Sequence, residues 1–193
     1  GRLRVLAELS AGETAFAVAT VQGLLQRTLP PAALRSAMGR VSMDGPGPER
    51  LEETLLRCGY RRCDMVEGPG QFSRRGGILD LFSPGESQPL RIEYWGDDVD
   101  AMGLFDTVTQ RRTENVDSRQ ILPAAEALPG LCEGGAAALA EKLRRSAARA
   151  ARRGEAGEKA AGTLRGDAER VEEGAGLPWA DRYLPLLYEE FAT

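Results

Sequence analysis

The spacing of apolar residues changes from a helical period to strand-like alternation near Tyr60. Pro48 suits the first turn of a helix whose apolar stripe includes Leu51 and Leu55. Gly59 follows that stripe, at a position where glycine commonly ends a helix. Beyond it, short alternating segments are separated by glycine and proline turns, which is typical of hairpins. The pattern predicts a small antiparallel-rich sheet module with one covering helix.

Six segments of this module have the length and alternation of strands. They are Tyr60–Val66, Gln71–Arg75, Ile78–Phe82, Leu90–Trp95, Val99–Phe105 and Ser118–Leu122. Two glycine-rich turns between them, Gly68-Pro69-Gly70 and Gly76-Gly77, lack the lysine and the spacing of a phosphate-binding loop. We therefore interpret them as hairpin turns and expect no nucleotide binding there.

The segments on either side of the module have a different character. Phe16–Thr20 is a short apolar run typical of a buried parallel strand, and Val21–Gln26 predicts a short helix. Residues 131–176 are rich in Ala, Arg, Glu and Gly, and their pattern predicts two helices joined by a flexible, glycine-rich connection. Leu177–Phe191 restores an apolar core signal. We therefore expect an α/β chain in three parts, 1–47, 48–128 and 129–193.

Composition excludes several kinds of chemistry. The 193 residues include no histidine and three cysteines, without a closely spaced cysteine pair. Imidazole catalysis is therefore excluded, and neither a zinc site nor a disulfide framework is expected. Asp97, Asp98 and Asp100 lack the spacing of a calcium loop. We expect no catalytic residue, no metal or other cofactor, no membrane span, and a reduced, cytoplasmic chain.

Charge is divided unevenly along the module. Five arginines and two acids lie between Arg57 and Arg75, whereas seven acids and one arginine lie between Asp80 and Asp106. A surface that binds a nucleic-acid backbone would be positively charged throughout. Two neighbouring regions of opposite charge are better suited to a protein partner of complementary charge. Binding of single-stranded DNA through the basic stretch is the alternative hypothesis.

One predicted strand supplies the candidate binding surface. Alternate side chains of a strand share a face, so Ile92 and Tyr94 are expected to face the core. This orientation leaves Arg91 and Trp95 exposed together, and both residue types are enriched at the energetic centres of protein interfaces. An equally weighted alternative is that Trp95 covers the sheet edge and Arg91 pairs with Glu93.

Several of these segments together resemble the UvrB-homology region of bacterial transcription-repair coupling factors. The resemblance covers about residues 57–128, and its most specific stretches are Gly70–Phe82, Leu90–Asp100 and Thr109-Gln110-Arg111. UvrB shares part of this pattern but carries a long, aromatic-tipped hairpin for gripping DNA near the region that corresponds to Gln26–Pro48. That region is short here and has no Tyr or Phe, which favours the coupling factors.

The resemblance implies a function. In that family the module is a non-catalytic adaptor that binds UvrA, the damage-recognition ATPase, and so recruits nucleotide excision repair to a stalled RNA polymerase. The implied UvrA contacts are Arg75, Arg91 and Trp95, where the family usually has Phe at the last position. Direct binding of DNA is then expected to be weak or absent; a DNA-binding fragment of a UvrB-like helicase is the alternative.

The resemblance also assigns the three parts of the chain. Residues 48–128 would be the UvrA-binding module, and 1–47 and 129–193 would be parts of a UvrB-like, helicase-like α/β domain into which that module is inserted. It further implies that a C-terminal module of the full-length protein masks the binding surface until activation. The ATP-driven translocase of the family would lie outside this chain.

Overall fold

The computed structural model of the protein describes residues 2–13, 16–174, 177 and 180–188. The α-helices are α1 (Arg2–Ala11), α2 (Val21–Leu25), α3 (Pro31–Ala37), α4 (Pro48–Arg57), α5 (Gly135–Ala151), α6 (Glu155–Glu172) and α7 (Leu184–Leu187). The strands are β1 (Gly39–Ser42), β2 (Arg61–Arg62), β3 (Gln71–Arg75), β4 (Ile78–Phe82), β5 (Leu90–Trp95), β6 (Asp98–Phe105), β7 (Arg112–Asn115) and β8 (Ser118–Ile121). Short 3-10 helices cover Pro129–Leu131 and Ala180–Tyr183.

The chain divides into two compact units. The first combines Gly1–Thr20 with Pro31–Glu126 and contains all the strands given above. The second combines Val21–Pro30 with Ala127–Thr193, and its described helices are α2, α5, α6, α7 and the two 3-10 helices. Helices and antiparallel-rich sheets occur together, which confirms the α/β class. The assignment of 1–47, 48–128 and 129–193 to separate functional parts stays a prediction.

The main sheet has the strand order β2-β3-β4-β5-β6-β7 and is antiparallel except between β2 and β3. Strands β3, β4 and β5 have the predicted bounds, and β6 and β8 differ from the prediction by one residue. The predicted strand Tyr60–Val66 is reduced to β2. The sequence pattern predicts neither β1, which pairs with β8, nor β7, whose four exposed residues carry no alternation.

Helix α4 covers one face of this sheet, as predicted. Leu51 and Leu55 of the helix are buried, and so are Leu79 and Ile92, which are paired directly across β4 and β5. Arg74 of β3 donates to two carboxylates of α4 at 2.5 and 3.5 Å. The sheet face that carries Leu79 is therefore fixed as the inner face, and the opposite face is the one that can meet a partner.

The opposite face has a small core of its own near one end. Val66, Phe82 and Phe105 form a buried cluster, with half-buried Cys63 packed against it. Phe105 is fully buried. This cluster provides an apolar floor on the outer face of the sheet, and polar side chains of β4 and β5 continue the same face.

The second unit is built mainly from α5 and α6. Leu139 and Leu143 of α5 are fully buried, as are Ala161 and Ala168 of α6. Glycines 157, 162 and 166 lie inside α6, so the predicted flexible connection is wrong. The reason is that burial of an apolar stripe stabilises a helix more than a few glycines weaken it. Within the predicted apolar segment Leu177–Phe191, Tyr183, Leu187 and Tyr188 are buried, and residues 178, 179 and 189–191 lie outside the described residues.

The predicted strand Phe16–Thr20 is also wrong. Phe16 and Val18 are 83% and 93% exposed, and no strand in the described part of the chain pairs with this segment. An apolar run becomes a strand only when a neighbouring strand takes its hydrogen bonds, which local sequence cannot ensure. The following helix, α2, is found as predicted.

Two further properties concern the described residues. None of the helices there is both long and apolar enough to cross a lipid bilayer. No group of three His, Cys, Asp or Glu side chains in the same part of the chain is arranged to hold a metal ion.

Candidate protein-binding surface

A buried carboxylate joins two of the three candidate residues. Asp80 of β4 is paired directly with Arg91 of β5 and is only 2% exposed at its side chain. Its Oδ1 accepts from Arg91 Nε at 2.7 Å, and its Oδ2 accepts from Arg91 Nη2 at 2.8 Å. Arg75 Nη2 donates to the same Oδ2 at 3.0 Å. Such a two-point arginine–carboxylate contact fixes the plane of the guanidinium as well as its position.

The two arginines differ in exposure. The side chain of Arg91 is only 16% exposed, whereas that of Arg75 is 48% exposed. The expectation that Arg91 stands exposed beside Trp95 therefore needs correction: Arg91 is largely covered. Its guanidinium carbon lies 4.3 Å from the centre of the Phe105 ring, so the apolar floor of the outer face lies directly beneath it. The hydrogen bond to Asp80 is the main cause of a raised pKa at Arg91.

A third residue completes the environment of Arg91. Gln110 accepts from Arg91 twice, at its backbone oxygen from Nη1 (3.2 Å) and at Oε1 from Nη2 (3.0 Å). A guanidinium has five N–H groups. Together with the contacts to Asp80, these bonds occupy four of them, which leaves one N–H of Nη1 for a further partner. Sequence reasoning gave Gln110 no role.

Gln110 lies in a tight turn between β6 and β7. Asp106 Oδ1 accepts from the backbone N–H of Val108 (3.2 Å), and from the N–H and hydroxyl of Thr109 (2.7 and 2.9 Å). The pKa of Asp106 is lowered, first by the backbone hydrogen bond from Thr109. Gln110 N–H donates to the Asp106 carbonyl at 2.8 Å, and Gln110 has a φ of 59°. The Asp106-x-x-Thr109 spacing is a signal for such a turn, but not for its contact with Arg91.

Trp95, the third candidate, lies at the end of β5 and is 84% exposed. The alternation that places it there is confirmed, since Ile92 and Tyr94 are buried. The alternative arrangement is not found: Trp95 does not cover the sheet edge. Glu93 pairs with Arg112 rather than with Arg91. Trp95 is four residue steps beyond Arg91 along the extended strand, a distance of about 13 Å, so the two belong to one face without touching.

The side chain of Arg112 crosses β6 where that strand has a glycine. A methyl group added to Gly103 would lie 2.8 Å from Arg112 Cδ and 2.7 Å from the Glu114 carbonyl oxygen. The missing side chain at Gly103, which is paired with Arg91, therefore lets Arg112 pass across the strand toward Glu93. The outer face thus carries basic and acidic groups in alternation rather than one sign of charge.

The basic stretch that motivates the DNA-binding alternative is largely neutralised within the chain. Arg62 pairs with Glu52 at 2.5 Å, and Arg74 pairs with Glu49 at 2.5 Å. Arg75 is held by Asp80, as described above. These ion pairs break the row of arginines into separate, locally balanced pairs, which is a poor match to a continuous phosphate backbone.

The chain is similar in sequence to known proteins, and the similarity covers the strands that carry the candidate residues. Residues 45–126 match the family described as UvrB interaction domain. The chain is 37% identical to the transcription-repair-coupling factor of Bacillus subtilis over 127 residues, which is 65% of this chain and 11% of that protein. It is 33% identical to the Escherichia coli protein of the same name over 130 residues, or 65% of this chain and 11% of that protein.

A longer match is found in Mycobacterium tuberculosis. The transcription-repair-coupling factor of that organism is 30% identical over 179 residues, which is 90% of this chain and 14% of that protein. The chain therefore spans roughly a tenth of the length of the curated relatives it matches. The resemblance to transcription-repair coupling factors that the sequence predicts is confirmed.

Proposed function

We propose that this chain is a non-catalytic adaptor that binds UvrA, and that it serves this role as part of a longer transcription-repair coupling factor. The observation that carries the proposal is the outer sheet face, where buried Asp80 holds Arg75 and Arg91 in place and Trp95 stands exposed. The match of residues 45–126 to a UvrB interaction domain supports it. Through this contact the full-length protein would recruit nucleotide excision repair to a stalled RNA polymerase.

The surface has the physical properties of an interface centre. Trp95 exposes a large aromatic group to water, so covering it with a partner is favourable. Arg75 presents a half-exposed cation whose orientation is already set by Asp80. Because Asp80 already holds the Arg75 guanidinium before binding, less side-chain entropy of Arg75 is lost on association. A matching partner surface has an apolar pocket for the indole and an acidic group for the guanidinium.

Two further expectations belong to this proposal. The surface would be masked in the full-length protein by a C-terminal module, and the chain would work in the cytoplasm. The DNA-binding alternative has weaker support, because Arg62, Arg74 and Arg75 are already ion-paired to acids. This alternative requires that the chain bind single-stranded DNA at low salt and that its affinity for DNA fall steeply as the salt concentration rises.

Titration calorimetry with purified UvrA tests the proposal. Trp95→Ala and Arg75→Ala are expected to weaken binding by about 30-fold, which corresponds to about 2 kcal/mol for an interface centre. Leu56→Ala is the matched control, because Leu56 is an exposed apolar residue of α4, away from the outer face. Undetectable binding of the wild-type chain, or equal losses in all three variants, would overturn the proposal.

A further inference from the structure

We infer that Gln110 is a positioning residue for Arg91, and that the turn from Asp106 to Arg111 thereby belongs to the partner-binding surface. The inference rests on the proposed function. It starts from an unusual backbone: Gln110 is the one non-glycine residue at positive φ in the part of the chain that the structure describes. A side-chain-bearing residue is disfavoured in that conformation and glycine is not, so a glutamine there calls for side-chain contacts that offset the backbone cost.

Both the oxygen and the nitrogen of the Gln110 side-chain amide form hydrogen bonds. Its Oε1 accepts from Arg91 Nη2 at 3.0 Å, and its Nε2 donates to the Thr107 carbonyl at 2.8 Å. The second bond orients the amide so that its oxygen, and not its nitrogen, faces the guanidinium. A glycine at this position would relieve the backbone but would remove both contacts. The glutamine side chain therefore links the turn, through Thr107, to Arg91.

The turn that carries Gln110 is itself held rigidly. Asp106 accepts three hydrogen bonds from Val108 and Thr109, and its backbone carbonyl accepts from the Gln110 N–H. The Gln110 carbonyl therefore has a fixed position, from which it accepts from Arg91 Nη1 at 3.2 Å. Asp80 holds one side of the guanidinium and Gln110 holds the other.

These hydrogen bonds determine which N–H group of Arg91 is available to a partner. With four N–H groups occupied, the remaining one, on Nη1, is presented by a guanidinium that is held in place by those four bonds. The partner group that fits it is an acceptor, such as a carboxylate or a backbone carbonyl, at one defined place. Without the Gln110 side chain, Arg91 would keep both bonds to Asp80 and the bond from Nη1 to the backbone carbonyl of residue 110, but one N–H of Nη2 would lose its acceptor and the guanidinium would be held less firmly.

Three variants separate positioning from a structural role. Gln110→Gly relieves the positive φ and is expected to leave the thermal midpoint unchanged or higher, yet to weaken UvrA binding about tenfold. Gln110→Glu supplies an acceptor toward Nη2 but cannot donate to the Thr107 carbonyl, so it is expected to recover only part of the affinity. Gln120→Gly, at an exposed glutamine of β8, lowers stability without a specific loss of binding.

Nuclear magnetic resonance tests the contact without UvrA. In the wild-type chain, both N–H groups of Arg91 Nη2 have acceptors, so rotation about the Cζ–Nη2 bond should be slow and its two protons should give separate signals. In Gln110→Gly only the bond to Asp80 remains at Nη2, so this rotation should become faster, while the Nε–H signal held by Asp80 persists. Unchanged Nη rotation in Gln110→Gly overturns the positioning role, whatever UvrA does. Slow rotation that is lost in Gln110→Gly, with no UvrA binding by the wild type, contradicts the proposed function and leaves Gln110 without a role at an interface.

Discussion

Asp80 and Arg91 face each other across β4 and β5, and the buried carboxylate holds the guanidinium at both Nε and Nη2, at 2.7 and 2.8 Å. Asp80 is the only carboxylate that pairs with Arg91 in the described part of the chain, and an unpaired charge that is largely cut off from water is strongly disfavoured. The pair lies on the outer face of the sheet, so its energetic role and its role at the candidate surface are linked.

Replacing the carboxylate is therefore expected to destabilise the sheet. Asp80→Ala leaves the largely covered cation of Arg91 without its partner and should lower the free energy of unfolding by about 3 kcal/mol. Urea unfolding followed by circular dichroism measures the change. Asp100→Ala is the control, because Asp100 is exposed on the neighbouring strand β6. Equal effects of the two changes would contradict the prediction.

Trp95 should contribute to binding without contributing to stability. Because the side chain is 84% exposed, Trp95→Ala is expected to change the free energy of unfolding by less than about 0.5 kcal/mol. Trp95→Phe keeps an aromatic contact and should retain most of the affinity for UvrA. The two quantities are obtained from urea unfolding and calorimetry on the same samples. A large loss of stability in Trp95→Ala would show that the indole is part of the core.

The turn between β3 and β4 should tolerate no side chain at its second glycine. A methyl group on Gly77 would lie 2.8 Å from the backbone oxygen of Tyr94, and Tyr94 N–H donates to the Gly77 carbonyl at 2.7 Å. Gly77→Ala is therefore expected to lower the thermal midpoint by several degrees, through a displaced β5. Gly68→Ala, where the new methyl group has open space, is the matched control and should be close to neutral.

Acid should loosen the turn that holds Gln110. The pKa of Asp106 is lowered in the folded chain, so its stabilising effect is present above the unfolded value and is lost as the pH falls through the folded value. In a pH titration by nuclear magnetic resonance, the Thr109 amide signal should move with a midpoint below about 3.9, the value of an ordinary aspartate. The transition should vanish in Asp106→Asn. A midpoint above the ordinary value would contradict the hydrogen-bonded turn.

Alkali should destabilise the first unit through a buried phenol. Burial is the main cause that raises the pKa of Tyr94 to about 12, and it raises the pKa of Tyr60 as well. A raised folded pKa gives stability that is complete below the unfolded value of about 10 and is lost as the pH rises toward the folded value. Urea midpoints should therefore fall above about pH 10. Tyr94→Phe should show a smaller fall, and an identical fall would exclude Tyr94 as a contributor.

Local pattern was sufficient for much of the candidate surface. The bounds of β3, β4 and β5 and the opposite facing of Ile92 and Trp95 follow from alternation and from the glycines at the turns. These features depend on neighbours in the chain, because a strand places successive side chains on opposite faces wherever it forms. The resemblance that pointed to Arg75, Arg91 and Trp95 likewise uses residue order alone.

Only the tertiary structure decided which groups these side chains meet. Glu93 is two residues from Arg91 on the same face, yet the partner of Arg91 is Asp80, because the register of β4 and β5 places that carboxylate directly opposite. Gln110 reaches Arg91 from a turn nineteen residues later in the chain. For the same reason, the sequence pattern predicts a strand at Phe16–Thr20 that does not form, and a flexible connection where the structure has helix α6. Whether a pattern becomes a buried contact depends on distant segments, since burial and hydrogen-bond pairing are properties of the packed chain and not of its local order.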